Sequence, residues 1–230
     1  MKSILNIILF FTVITSAQSK DPDKILEKLK SNFERIQDYK VEMKIKLDVQ
    51  YLKAPESKAI FYFKKPDKIH IESDGFAMIP REGLEFAPLS FLKKDYTAIY
   101  EREDTLDGHK VSVVKIIPLG DKSDIILTTL WIDQTINAIR KSESTTKFSG
   151  NFSIKLNYDS TIKYPLPSNM EFVLNPNQDI TSKDLKEPEE KEKPARGRRN
   201  IVTSGKVYIN YSNYEINKGI PDSIFEKKVK

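Results

Sequence analysis

Between Val41 and Leu52 the chain reads VEMKIKLDVQYL. Val41, Met43, Ile45, Leu47, Val49 and Tyr51 point one way, and Glu42, Lys44, Lys46, Asp48 and Gln50 point the other. A two-residue period this strict predicts an antiparallel strand with one buried face and one wet face. A sheet built from such strands must cover its apolar face with something else. That requirement constrains the rest of the chain.

Further strand-like stretches follow, separated by polar turns. After Ala54-Pro55-Glu56 come SKAIFYFKK and, beyond Pro66-Asp67, KIHIES. TAIYERE, then HKVSVVKIIPL behind Asp107-Gly108, DIILTTLWID, NAIRKSES, FSIKLNYDS and NMEFVLN continue the pattern, and GKVYINYSNYEIN closes it. Asp-Gly before a strand is a turn signal. Short strands recurring with turns between them predict one large antiparallel sheet or barrel. Ile60 and Tyr62 are apolar alongside Phe61 and Phe63, so the facing of that strand stays open.

Two segments can cover the apolar face. DPDKILEKLKSNFERIQDY predicts an amphipathic helix, with Asp21 as N-cap and Pro22 at the first helical position. Ile25, Leu26, Leu29, Phe33 and Ile36 share one face, and the helix is expected to stop near Asp38. The second is the connection GFAMIPREGLEFAPLSFL, Gly75 to Leu92. Pro80 and Pro88 bar one long helix, yet Phe76, Met78, Ile79, Leu84, Phe86, Leu89 and Phe91 make it far more apolar than connections usually are. It either closes the core or forms a movable lid over an apolar ligand, broken at Gly83.

The N-terminus joins Lys2 to ILNIILFFTVI and the small residues TSAQS, the pattern of a cleaved secretory signal over residues 1–19, with cleavage near Ser19. A membrane span needs about 20 apolar residues, more than this run supplies. Residues 20–230 are expected to form a single exported domain held without disulfides, because the chain has no cysteine. The net charge of +5 includes Lys2, so the remainder carries +4. This is too mild for a nucleic-acid partner. A charged stretch at about 177–200, NQDITSKDLKEPEEKEKPARGRRN, is too polar to bury and predicts a flexible loop inserted before the last strand pair.

A catalytic constellation is not legible. Thiol chemistry is excluded, and neither a G-x-S-x-G elbow nor a phosphate-binding glycine loop occurs. His70, between Ile69 and Ile71, and His109, at a turn, both predict surface histidines, and neither has a second ligand at metal spacing. No catalytic residue, metal or cofactor is therefore assigned. What remains as a candidate site is an apolar groove.

The order of parts resembles the LolA-like family, the periplasmic carriers and sorting proteins for outer-membrane lipoproteins. FERIQDYKVEMKIKL is similar to the family's helix, short turn and first strand. FYFKKPDKIHIES is similar to its apolar strand, basic-Pro-Asp/Asn turn and next strand. The apolar, proline-containing segment, DGHKVSVVKIIP, LWIDQTINAIRKSES and GKVYINYSNYEINKGIPDSIFE follow in the family's order. The resemblance covers most of Asp21 to Phe225 and omits the charged loop.

The resemblance implies a mainly β fold with few helices. A curved antiparallel sheet would form an incomplete half-barrel, with the N-terminal helix and a short helical lid over its concave face. It implies a soluble, monomeric periplasmic carrier or sorting protein that shields lipid or lipoprotein acyl chains and performs no chemistry. Membrane-bound donor and acceptor proteins would be its partners. Met43, Ile45, Leu47, Phe61, Phe63, Ile69, Ile71 and Trp131 are the expected cavity lining. The apolar residues of Gly75 to Leu92 are the expected lid. Lys65, before Pro66, stands where the carrier has an arginine that latches the lid onto backbone carbonyls. Lysine brings three donors on a flexible stem in place of a planar fork. The alternatives are an envelope sensor of the same fold that binds a protein partner, and an extracytoplasmic hydrolase.

Overall fold

The computed structural model describes residues 20–49, 55–73, 95–120, 124–147, 150–161, 163–175 and 205–226. Among them one helix, α1 (Pro22–Glu34), precedes ten strands: β1 (Asp38–Val49), β2 (Ser57–Lys64), β3 (Lys68–Ser73), β4 (Tyr96–Leu106), β5 (His109–Pro118), β6 (Ile125–Asp133), β7 (Ile139–Thr146), β8 (Asn151–Asn157), β9 (Asn169–Asn175) and β10 (Gly205–Ile216). A single 3-10 turn follows at Asp222–Ile224. No helix among the described residues is long and apolar enough to cross a membrane.

The strands form one antiparallel sheet in the order β3-β2-β1-β10-β9-β8-β7-β6-β5-β4. From β4 to β10 each strand pairs with the next in sequence, as do β1 to β3, and β1 joins β10. The sheet does not close, so β3 and β4 are its two edges. Ten flat strands would span roughly 43 Å at about 4.8 Å per spacing, against about 10 Å for a helix. Yet Phe61 and Phe63 of β2, Val114 and Ile116 of β5, and Leu26 and Leu29 of α1 share one buried cluster. The sheet therefore curls around α1, as an incomplete half-barrel.

Local chemistry fixes α1. The Asp21 carboxylate accepts from the Asp23 N–H at 3.0 Å, and Pro22 opens the helix. Leu26 and Leu29 are fully buried, each contributing about 1.5–3 kcal/mol. The helix ends at Glu34, short of the expected Asp38, because Asp38 already belongs to β1. Asn217, at φ 55°, ties this end to the end of β10. Its side chain accepts from the Gln37 N–H at 2.7 Å and donates to the Arg35 carbonyl at 2.9 Å.

Each strand-like stretch of the sequence is a strand, and β1 buries Val41, Met43 and Ile45 while exposing Glu42, Lys44 and Lys46. The closing stretch is one long strand, not a strand pair. A bulge near Asn213, itself at φ 55°, shifts its register against β1.

Candidate functional site: the concave face

The side of the sheet that faces α1 is nearly continuous apolar surface. Tyr39, Val41, Met43 and Ile45 of β1 meet Phe61 and Phe63 of β2, with Val207 and Ile209 of β10 on the other flank. Register settles the facing of β2. Val41 pairs with Phe61 and Tyr39 with Phe63, and directly opposed residues share a face. The Tyr39 ring lies 5.7 Å from Phe61 and 5.4 Å from Phe63.

Of the expected lining, Met43, Ile45, Phe61 and Phe63 are thus brought together and buried, and Leu47 and Ile71 pack against them half-buried. Ile69 pairs with Phe63 and shares its side of the sheet, but remains 37 % exposed on the edge strand. Trp131 is not part of this face. It pairs with Val113 and Lys141 and sits with Val111 and Val113 in a separate cluster on the opposite side. The Lys141 ammonium lies 4.6 Å from its ring centre. Leu130, Trp131 and Ile132 are all buried, so both faces of β6 are covered there and the sequence pattern alone could not orient the indole.

Lys65 is engaged at the end of α1. Its ammonium donates to the Glu34 carbonyl at 2.5 Å, and its N–H donates to the Gln37 carbonyl at 2.9 Å. A cation at a helix C-terminus is favourable. The expected lid residues Phe76, Met78, Ile79, Leu84, Phe86, Leu89 and Phe91 lie outside the described residues, as do residues 1–19 and the charged insert at 177–200. Topology still bears on the lid. β3 ends at Ser73 on one edge of the sheet, and β4 begins at Tyr96 on the other. The residues between them join the two edges.

A band of aromatics extends this face. Tyr211 and Tyr214 of β10 both pack on the concave side, with Tyr158 nearby in the chain's fold, and Phe152 stacks on Phe172 at 5.7 Å. The Tyr214 hydroxyl donates to the Pro167 carbonyl at 2.7 Å, and that of Tyr158 to the Ile139 carbonyl at 2.6 Å. Burial pushes the phenols of Tyr39, Tyr158, Tyr211 and Tyr214 up, so all stay protonated at neutral pH. Tyr211 and Tyr214 are three apart, which alternation would place on opposite faces. The bulge at Asn213 puts them on one, and an Asn tolerant of positive φ is the signal for it.

The charged groups of the described residues are largely structural. Asp133 is buried, accepting from the Thr135 and Ile136 N–H groups at 2.7 and 3.1 Å and from Arg140 Nε at 2.5 Å. Burial alone would raise its carboxyl, but Arg140 and these N–H groups hold it below its ordinary value. Arg140 Nη2 lies 3.1 Å from His109 Nδ1. The same nitrogen lies 3.6 Å from the Asp133 carboxylate. The group pins the β6–β7 turn. His109 is exposed as expected, but His70 is not. It is 6 % exposed, 6.0 Å from the Tyr62 ring and 3.7 Å from the Glu72 carboxylate. Alternation does send it to the face opposite Phe61 and Phe63, but that face of β2 and β3 is also covered, since Tyr62 is buried too. No group of three or more metal-ligating side chains occurs among the described residues.

The sequence matches no family model and no curated protein. The fold does have solved counterparts. A DUF1329 family protein from Desulfovibrio piger is similar with a TM-score of 0.60 and 13 % identity, over 90 % of this chain and 98 % of that one. A domain from Vibrio parahaemolyticus described as an outer membrane lipoprotein-sorting protein gives 0.57 and 13 %, over 88 % and 94 %. A LolA superfamily protein from Nitrosomonas europaea gives 0.55 and 13 %, over 90 % and 97 %. Identity this low speaks to architecture alone, and the architecture is clear: the chain has a LolA-like fold.

Proposed function

We propose that this protein is a periplasmic carrier or sorting protein that shields the acyl chains of a lipid or lipoprotein on the concave face of its half-barrel, without chemistry. The observation that carries the reading is the pairing of a one-sided apolar sheet with its topology. The face from β2 to β5 carries one apolar cluster, interrupted by the inward hydroxyls of β7, and the chain from Ser73 to Tyr96 must run from one edge of the sheet to the other. The 22 residues that run from 74 to 95 reach about 80 Å at most, ample for that crossing. They carry the apolar residues suited to cover the groove. Each methylene buried there contributes about 0.8 kcal/mol, so one or two acyl chains bind well without a polar motif. The similarity to a lipoprotein-sorting domain agrees with this reading. Lys65, already set against the end of α1, would latch such a cover beside the helix.

The test is binding of a fluorescent fatty acid, cis-parinaric acid. Wild type is expected to bind it saturably, and a Phe86→Asp/Leu89→Asp variant to lose binding while keeping its sheet signature in circular dichroism. Binding that survives in this variant would remove the lid assignment. A second reading, a sensor that binds a protein partner, is favoured by one observation. Ile99 of β4, Ile117 of β5, Leu119 just after it and Ile126 of β6 are each exposed. That reading expects Ile117→Asp to abolish partner binding and leave fatty-acid binding intact.

A further inference from the structure

One strand breaks the apolar run of the concave face. On β7, Ser142 pairs with Leu130 on one side and Ile154 on the other, both fully buried in the main cluster. Ser144 likewise sits between Thr128 and Phe152. Thr146 continues the row, also buried. From Ser142 onward the inward positions of β7 are thus hydroxyls, and β7 is an interior strand with β6 to β4 on one side and β8 on the other. Thr128 Oγ1 and Ser144 Oγ bond each other at 2.9 Å, and Thr146 Oγ1 donates to the Gly150 carbonyl at 2.6 Å. Ser142 has no such arrangement. It is 1 % exposed, and its hydroxyl has no hydrogen-bond partner among the described residues.

Buried hydroxyls are paired in nearly all proteins, and an unpaired one calls for an explanation. A purely structural strand here would carry Val or Ala. The row also has a donor surplus. In the Thr128–Ser144 pair one hydroxyl proton serves the other oxygen and the second is unspent, and the Ser142 proton is unspent as well. Fixed charge is lacking at the inward positions Ser142, Ser144 and Thr146, and Arg140, at the bulge where β7 begins, is paired with Asp133. Neutral donors in an apolar wall select a neutral acceptor, and they disfavour both a bare alkyl chain and an anionic headgroup.

We infer that Ser142, with the Thr128–Ser144 pair beside it, is a polar subsite that recognises the ester carbonyl of an acyl-linked lipid. The assignment rests on the acyl-carrier reading above and adds to it a choice among lipids. The subsite would hold the linkage between chain and backbone at mid-sheet and let the chains run along the apolar strands on either side.

The test uses two probes that differ in one carbonyl, 1-monopalmitoylglycerol and 1-O-hexadecylglycerol, each displacing cis-parinaric acid from the full-length protein. Wild type is expected to prefer the ester by about 3- to 10-fold, the worth of one neutral hydrogen bond. Ser142→Ala is expected to bring the ester's affinity down to that of the ether, while melting no lower than wild type. Equal binding of ester and ether by wild type overturns the subsite but not the carrier. So does a preference that survives in Ser142→Ala, since the hydroxyl would then serve only a buried water. A loss of both probes alike in Ser142→Ala makes its role structural and overturns the subsite too. Failure of wild type to bind cis-parinaric acid at all overturns the carrier reading and the subsite with it.

Discussion

Asp133 and Arg140 are the residues where a single substitution should speak most clearly about stability. The pair is buried, so removing one partner leaves an uncompensated charge, at a cost of about 3–5 kcal/mol. Arg140→Met is expected to lose that much in chemical denaturation at neutral pH. The pH dependence has a definite sign. The folded carboxyl lies below its ordinary value of 3.8, so the folded state binds fewer protons than the unfolded chain. The pair's contribution is full above that value and is lost as pH falls through the folded one. The gap between wild type and Arg140→Met should therefore narrow below about pH 4. A gap constant from pH 7 to pH 3 would mean the ion pair contributes little. Asn217 allows a second comparison, since its side chain holds three backbone groups, those of Arg35, Gln37 and Asp38, at φ 55°. Asn217→Gly loses the bonds alone, and Asn217→Ala also meets the left-handed strain of about 1–2 kcal/mol. Denaturation midpoints should rank wild type, Gly, Ala.

Elements differ in how their connections are held. Leu174 of β9 and Gly205 of β10 are register partners, so the charged insert leaves and rejoins the sheet at one hairpin position. Replacing residues 176–203 with a two-residue Asn-Gly turn should preserve the fold and stabilise it by about 1–2 kcal/mol through a shorter loop closure. A lower midpoint in thermal melts would show that the insert packs on the domain. The connection from Ser73 to Tyr96 cannot be shortened so, because its ends lie on opposite edges. The strands were legible because one wet face imposes a two-residue period, as in β1. What was not legible has local causes. The bulge at Asn213 reverses parity within β10 and hides Tyr214. Trp131 lies in a stretch of β6 buried on both faces, where alternation gives no direction. The inward serines of β7 look, in RKSESTT, like one more polar exterior.

For the whole molecule, curvature turns these parts into a candidate site. A flat sheet of ten strands would leave most of its apolar face beyond the reach of α1, whereas the curled sheet concentrates it into one cluster. Strand pairing and pattern are local enough to be read from sequence. Curvature is a sum over nine pairings and was available only through resemblance. The proposed function makes this concave face the holder of acyl chains. Mass spectrometry of an organic extract of the protein, purified without detergent from its native compartment, tests it most directly. A co-purifying acyl lipid is expected near one per chain, absent from the Phe86→Asp/Leu89→Asp variant. An extract free of lipid, from a protein that also fails to bind cis-parinaric acid, would contradict it.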